Sequence, residues 1–107
     1  ITVDHSYVEK LIKDGSITRE EAKTHPKRNM LIKAIGSNTF VVPDLMKKVF
    51  LKEDTILMCS DGLNNMLSEE EILKIIKEEK DVAEKLVEKA NEAGGTDNIT
   101  VIVLKNK

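Results

Sequence analysis

Two short segments constrain this chain more than anything else in it. Thr55 to Ser60 is almost continuously apolar and too short for a buried helix, and Ile99 to Leu104 is a second run rich in β-branched residues. A strand that is apolar on both faces has no side to offer to water, so Thr55–Ser60 is expected to be covered on both. Between the two runs lie segments of helical period. Ser68-Glu69-Glu70-Glu71 opens the first, with Ile72, Ile75 and Ile76 on one side. Asp81 with Glu84 opens the second, whose stripe is Val82, Leu86, Ala90 and Ala93, and Gly94 ends it. Strands flanking a helix pair predict an α+β fold with helices layered on one face of a sheet.

Upstream, Ile1-Thr2-Val3 resembles the end of a strand that delivers Asp4. Ser6 and Glu9 have the spacing of a capping box for a helix with Val8, Leu11 and Ile12 on its apolar side, stopped by Gly15. Thr18 and Glu21 repeat the device for a shorter helix that must end near His25, because Pro26 follows. A third short helix is expected from Arg28 to Ile35, ended by Gly36. Residues 37–44 are loop-like, with Pro43 excluding a central strand. Leu45 to Leu51 is expected to be a strand and Lys52-Glu53-Asp54 a turn. The segment of about residues 6–36 has less apolar surface than the later helix pair and suits a semi-independent flap over one end of the sheet. No repeat or linker divides the chain, and 107 residues suit one domain.

Aromatic residues make up only 3% of the chain, against 40% hydrophobic residues, so the core must be aliphatic. Charged residues reach 34% with a net charge of −2, which marks no nucleic-acid or membrane surface. Arg19 and Arg28 are the only guanidiniums, leaving few groups for bidentate phosphate recognition. The single cysteine, Cys59, lies in an apolar run where a buried, inert thiol is expected. With no signal peptide and no apolar run near the ~20 residues that span a bilayer, a cytoplasmic location is expected. The chain opens at Ile1, without Met and inside a strand pattern, and is expected to be a piece of something longer.

Two carboxylates stand at strand ends. Asp61 closes the first apolar run in Cys59-Ser60-Asp61-Gly62-Leu63, and Asp97 opens the last in Gly94-Gly95-Thr96-Asp97-Asn98-Ile99-Thr100-Val101. If these strands pair antiparallel, both acids fall at one rim of the sheet. Hard divalent cations such as Mg²⁺ or Mn²⁺ take such oxygen ligands together with waters. Either acid alone is an ordinary turn residue, and Asp4 alone is an ordinary helix-capping or lysine-pairing residue. His5 and His25, the only histidines, follow a strand and precede Pro26, so neither is expected to act as a general acid or base. Asn98 is expected to bond the turn that aims Asp97.

Asp4-His5-Ser6, Gly15-Ser16-Ile17-Thr18 with Glu20-Glu21-Ala22, His25-Pro26 and Arg28-Asn29 with Ala34-Ile35-Gly36 form an ordered series. Cys59-Ser60-Asp61-Gly62-Leu63 and Gly94-Gly95-Thr96-Asp97-Asn98-Ile99-Thr100 complete it. Any one of these is weak; together, in this order from about residue 2 to residue 104, they resemble the C-terminal part of a bacterial-type, metal-dependent Ser/Thr protein phosphatase of the PPM family (type 2C). The resemblance implies part of a four-layer α-β-β-α sandwich with antiparallel sheets. It implies hydrolysis of phosphoserine and phosphothreonine on protein substrates by a metal-activated water, with Mg²⁺ or Mn²⁺ as cofactor. It implies that Asp61 and Asp97 hold one metal of a central pair and that Asp4, with Asp61, holds a looser third. Asn65 departs from the pattern, since many members carry an acid there. Residues of about 14–44 match the flap beside the catalytic cleft.

The family's other metal acids, its Asp-Gly-x-Gly-Gly turn and its phosphate-holding arginine come from upstream motifs that this chain lacks; Arg19 and Arg28 match flap positions instead. The chain is therefore expected to be inactive alone, to need the missing N-terminal half of the same domain, and otherwise to self-associate through uncovered strand surface around Ile56, Leu57, Met58, Ile99, Val101 and Val103. It supplies no catalytic group of its own beyond metal ligands. The alternative is a non-catalytic binding or regulatory module with the same fold.

Overall fold

Local capping decides where most helices begin. In the computed structural model, which describes residues 1–107, Ser6 accepts from the Glu9 backbone and opens α1 (Tyr7–Lys13), and Thr18 accepts from Glu21 and opens α2 (Arg19–Lys23). The expected box at α1 is only half built, because the Glu9 carboxylate turns outward to Arg19 at 3.0 and 3.2 Å. Gly15 takes φ +77° after the C-cap of α1, the left-handed geometry that favours glycine. These elements belong to the first of two compact units, Ile1–Met46; the second is Lys47–Lys107.

Two expectations for the first unit are corrected. Ile1-Thr2-Val3 is not a strand, since nothing in the chain pairs with it. Arg28–Ile35 is not a helix: the backbone after Pro26 makes turns, and Leu31 forms an isolated antiparallel bridge with Ser6. The bridge takes the backbone groups a helix would need, with Tyr7 N–H donating to the Met30 carbonyl and Ile32 N–H to the His5 carbonyl, both at 2.9 Å.

In the second unit the strands are β1 (Thr55–Cys59) and β2 (Val101–Lys105), paired antiparallel from Thr55 opposite Lys105 to Cys59 opposite Val101. Leu45–Leu51 is not a strand; no third strand accepts its backbone, and Leu51 N–H instead bonds the Asp54 carboxylate at 2.9 Å. The turn expected at 52–54 is present, with Glu53 at φ +70°. A single helical turn, α3 (Asp61–Asn64), follows β1 and was not expected. Then come α4 (Glu69–Glu78), opened by a complete Ser68–Glu71 capping box, and α5 (Val82–Glu92). Asp81 precedes α5 without a side-chain cap bond.

The core forms where α3, α4 and α5 meet one sheet face. Leu63, Leu67, Ile72, Leu86 and Ala90 are buried together, with Leu57, Ile99, Val101 and Val103 packed against them. Period-two alternation sends Ile56, Met58, Ile102 and Leu104 to the opposite face. On that face Met58 is 49% exposed, Ile102 53% and Leu104 43%, so only one side of the sheet is covered by this chain. Cys59 is exposed rather than buried: it ends β1, opposite Val101, in a sheet of two strands.

Candidate metal centre

The antiparallel register brings the ends of β1 and β2 nearest Asp61 and Asp97 together. Beyond the last paired residues, Cys59 and Val101, Ser60 N–H donates to the Thr100 carbonyl at 3.0 Å. The Ser60 hydroxyl accepts from Thr100 N–H at 3.0 Å and donates to the Asn98 carbonyl at 3.2 Å. Ser60 immediately precedes Asp61, and Asn98 immediately follows Asp97. Each carboxylate thus sits one residue from a bonded anchor, at the same rim.

Gly62 tightens this junction. A Cβ placed on it would lie 2.1 Å from the Asn98 carbonyl oxygen and 2.9 Å from its carbon, so only glycine lets α3 start against the incoming strand. The Ser60 hydroxyl, committed across the rim, makes no cap bond to α3. From residue types alone neither Ser60 nor Gly62 stands out with a role of its own; the short Ser-Asp-Gly and Asp-Asn pairings were the available signal. The turn role expected for Asn98 is carried by its main chain, since its N–H donates to Asp97 Oδ1 at 2.7 Å.

Asp61 and Asp97 are exposed. Exposed carboxylates are oxygen donors of the kind Mg²⁺ or Mn²⁺ accepts. No group of three or more His, Cys, Asp or Glu side chains converges anywhere in the chain, so it holds no complete ligand set of its own. Asn65 lies four residues beyond Asp61 as the C-cap of α3 and is exposed, its N–H bonded to the Asp61 carbonyl at 2.9 Å.

Asp4 is exposed in the first unit. Its neighbour His5 is engaged elsewhere, with Nε2 donating to Asp44 Oδ2 at 2.7 Å while Lys33 Nζ reaches Asp44 Oδ1 at 3.4 Å. Those two bonds, His5 first, hold the Asp44 carboxyl below the usual carboxylate range. His25 Nδ1 accepts from Lys27 N–H at 3.0 Å, which ties it to its own turn.

No protein-family model matches the chain. Individual proteins do. The serine/threonine phosphatase stp of Listeria monocytogenes serotype 4b (strain F2365) is 42% identical over 108 residues, which cover 98% of this chain and 43% of the relative. Among solved structures, the S. agalactiae serine/threonine phosphatase superposes with a TM-score of 0.91 at 40% identity, over 98% of this chain and 45% of that one. The catalytic domain of the serine threonine protein phosphatase PstP, solved in complex with two manganese ions, gives 0.83 at 35% identity, over 96% of this chain and 43% of that one. The chain spans less than half the length of the relatives it matches. Identity of this order across nearly all of its residues, together with the shared α+β fold, means that the chain belongs to the bacterial PPM (type 2C) Ser/Thr protein phosphatase family.

Proposed function

We propose that this chain is the C-terminal part of one phosphatase catalytic domain, with residues of about 14–44 as its flap, and that the whole protein hydrolyses phosphoserine and phosphothreonine on protein substrates. The observation that supports the reading is the bonded rim: Ser60 ties the end of β1 to Thr100 and Asn98, and Asp61 and Asp97 each lie one residue from those bonds. Mg²⁺ or Mn²⁺, when bound, supplies a water of lowered pKa and neutralises charge on the phosphoryl oxygens. Asp61 and Asp97 supply carboxylate oxygens to one ion of a central pair. Asp4 supplies a carboxylate to a looser third ion. The remaining ligands and the phosphate-holding arginine come from the N-terminal half of the domain.

The architecture proposed for the whole domain is a four-layer sandwich. The uncovered sheet face supports this, since Met58, Ile102 and Leu104 carry apolar surface worth about 25 cal/mol per Å² once buried. By itself the chain is then inactive, and it either takes up the N-terminal half or self-associates through that face. No helix is long and apolar enough to cross a membrane, and a cytoplasmic site of action is proposed. The test is turnover of a phosphothreonine peptide by the full-length protein with and without Mn²⁺, beside Asp61→Asn. Metal-independent turnover, or an Asp61→Asn protein as active as its parent, would sink the reading.

A further inference from the structure

A serine before a helix normally spends its hydroxyl on the helix's own N–H groups. Ser60 does not: its hydroxyl both accepts from Thr100 N–H and donates to the Asn98 carbonyl, crossing between segments 38 and 40 residues apart in sequence. Its backbone N–H adds a third bond, to the Thr100 carbonyl. The Asn98 carbonyl that receives the hydroxyl is also the atom against which Gly62 packs. One residue thus fixes the peptide units flanking both rim acids, without itself holding a carboxylate or touching a phosphate.

We infer that Ser60 is a positioning residue for the metal centre, setting the spacing of Asp61 and Asp97 through its two-way hydroxyl bond across the rim. The inference rests on the metal reading given above. Without the hydroxyl, the Thr100 N–H and the Asn98 carbonyl lose a shared partner, and the Asp97 turn is released from the start of α3. Groups that orient metal ligands from behind are worth about 10–100-fold in metal affinity when removed.

The test is Mn²⁺ titration of the full-length protein by calorimetry, without substrate, beside the melting temperature of the metal-free form. Ser60→Ala should weaken Mn²⁺ binding about tenfold, with a fall in melting temperature of only about 2–4 °C. Ser60→Thr, which keeps a hydroxyl, should recover most of the affinity. If the alanine variant does not fold, Ser60→Cys, of similar shape with a weak donor and acceptor, carries the same expectation. Mn²⁺ affinity unchanged in the alanine variant, or in the cysteine variant where alanine does not fold, with Asp61→Asn losing binding, would overturn the positioning role alone. Unchanged affinity in Asp61→Asn would overturn the metal reading and this inference with it.

Discussion

Gly62 lies so close to the main chain of Asn98 that a single added carbon would stand 2.1 Å from its carbonyl oxygen. The contact joins the first turn after β1 to the strand arriving from the other end of the unit, and it involves no side chain on Gly62. Gly62→Ala in the full-length protein must therefore move backbone. It should destabilise by about 1–3 kcal/mol, the usual cost of forcing extra volume into a packed site. It should also weaken Mn²⁺ binding, because the displaced atoms adjoin both rim acids. Urea unfolding and calorimetric titration of the same variant measure the two effects; a stability equal to the parent's would show that the junction opens freely.

Asp61→Asn and Asp97→Asn, each in the full-length protein, should cut Mn²⁺-dependent turnover of a phosphothreonine peptide at least about a hundredfold, since even residues behind a metal ligand are worth about 10–100-fold. Far-ultraviolet circular dichroism should stay unchanged, because both side chains are exposed. A loss of activity in only one of the two variants would break the pair.

Asp4→Ala should matter less and differently. The residue is exposed, apart from the core of its unit, so the fold should survive. The expected result is a rightward shift in the Mn²⁺ concentration needed for half-maximal rate. Unfolding with no change in metal response would assign Asp4 to helix capping instead.

Leu63 and Leu86 are both 0% exposed and lie at the centre of the helix–sheet core. Leu86→Ala should cost about 2–5 kcal/mol in urea unfolding. Leu73→Ala, on the same helix pair but 50% exposed, should cost far less and serves as the control.

Acid should loosen α4 through its cap. Glu71 accepts from Ser68 N–H at 2.7 Å, and that bond, followed by the one to the Ser68 hydroxyl, lowers its carboxyl below the ordinary value of 4.5. A carboxyl lowered in the folded state stabilises above its unfolded value and loses that contribution as pH falls through the folded one. Stability should therefore decline below about pH 4.5. Glu71→Gln should flatten that decline, which chemical unfolding at pH 3 to 6 would detect. An identical pH slope in the variant would remove Glu71 from the cause.

Much of the architecture was legible because it is set locally. The Ser68 box, the stripe of Leu86 and Ala90, and the apolar runs of β1 and β2 each follow from a few neighbouring residues. The antiparallel pairing of the two runs is borne out, with Cys59 opposite Val101 at the end nearest Asp61 and Asp97. The failures are non-local. Leu45–Leu51 has strand composition, but a strand is defined by a partner and this chain offers none. Arg28–Ile35 has helix-forming residues, but the bridge from Leu31 to Ser6 takes its backbone. Ser60 was hidden for the opposite reason: the run Thr55–Ser60 suggests only a strand end, and only the fold reveals a hydroxyl turned toward Asn98.

The bonds from Ser60 to Asn98 and Thr100 also set an order of assembly. They close a loop of about forty residues, and closing so long a loop carries an entropic cost that grows with its length. The helical hairpin of α4 and α5 lies wholly inside that loop and forms through near neighbours, so it shortens the distance before the strands meet. Loop closure therefore favours forming the hairpin before the rim. A chain that has already regained its helices still has to zip β2 onto β1 before Asp61 has Asp97 beside it.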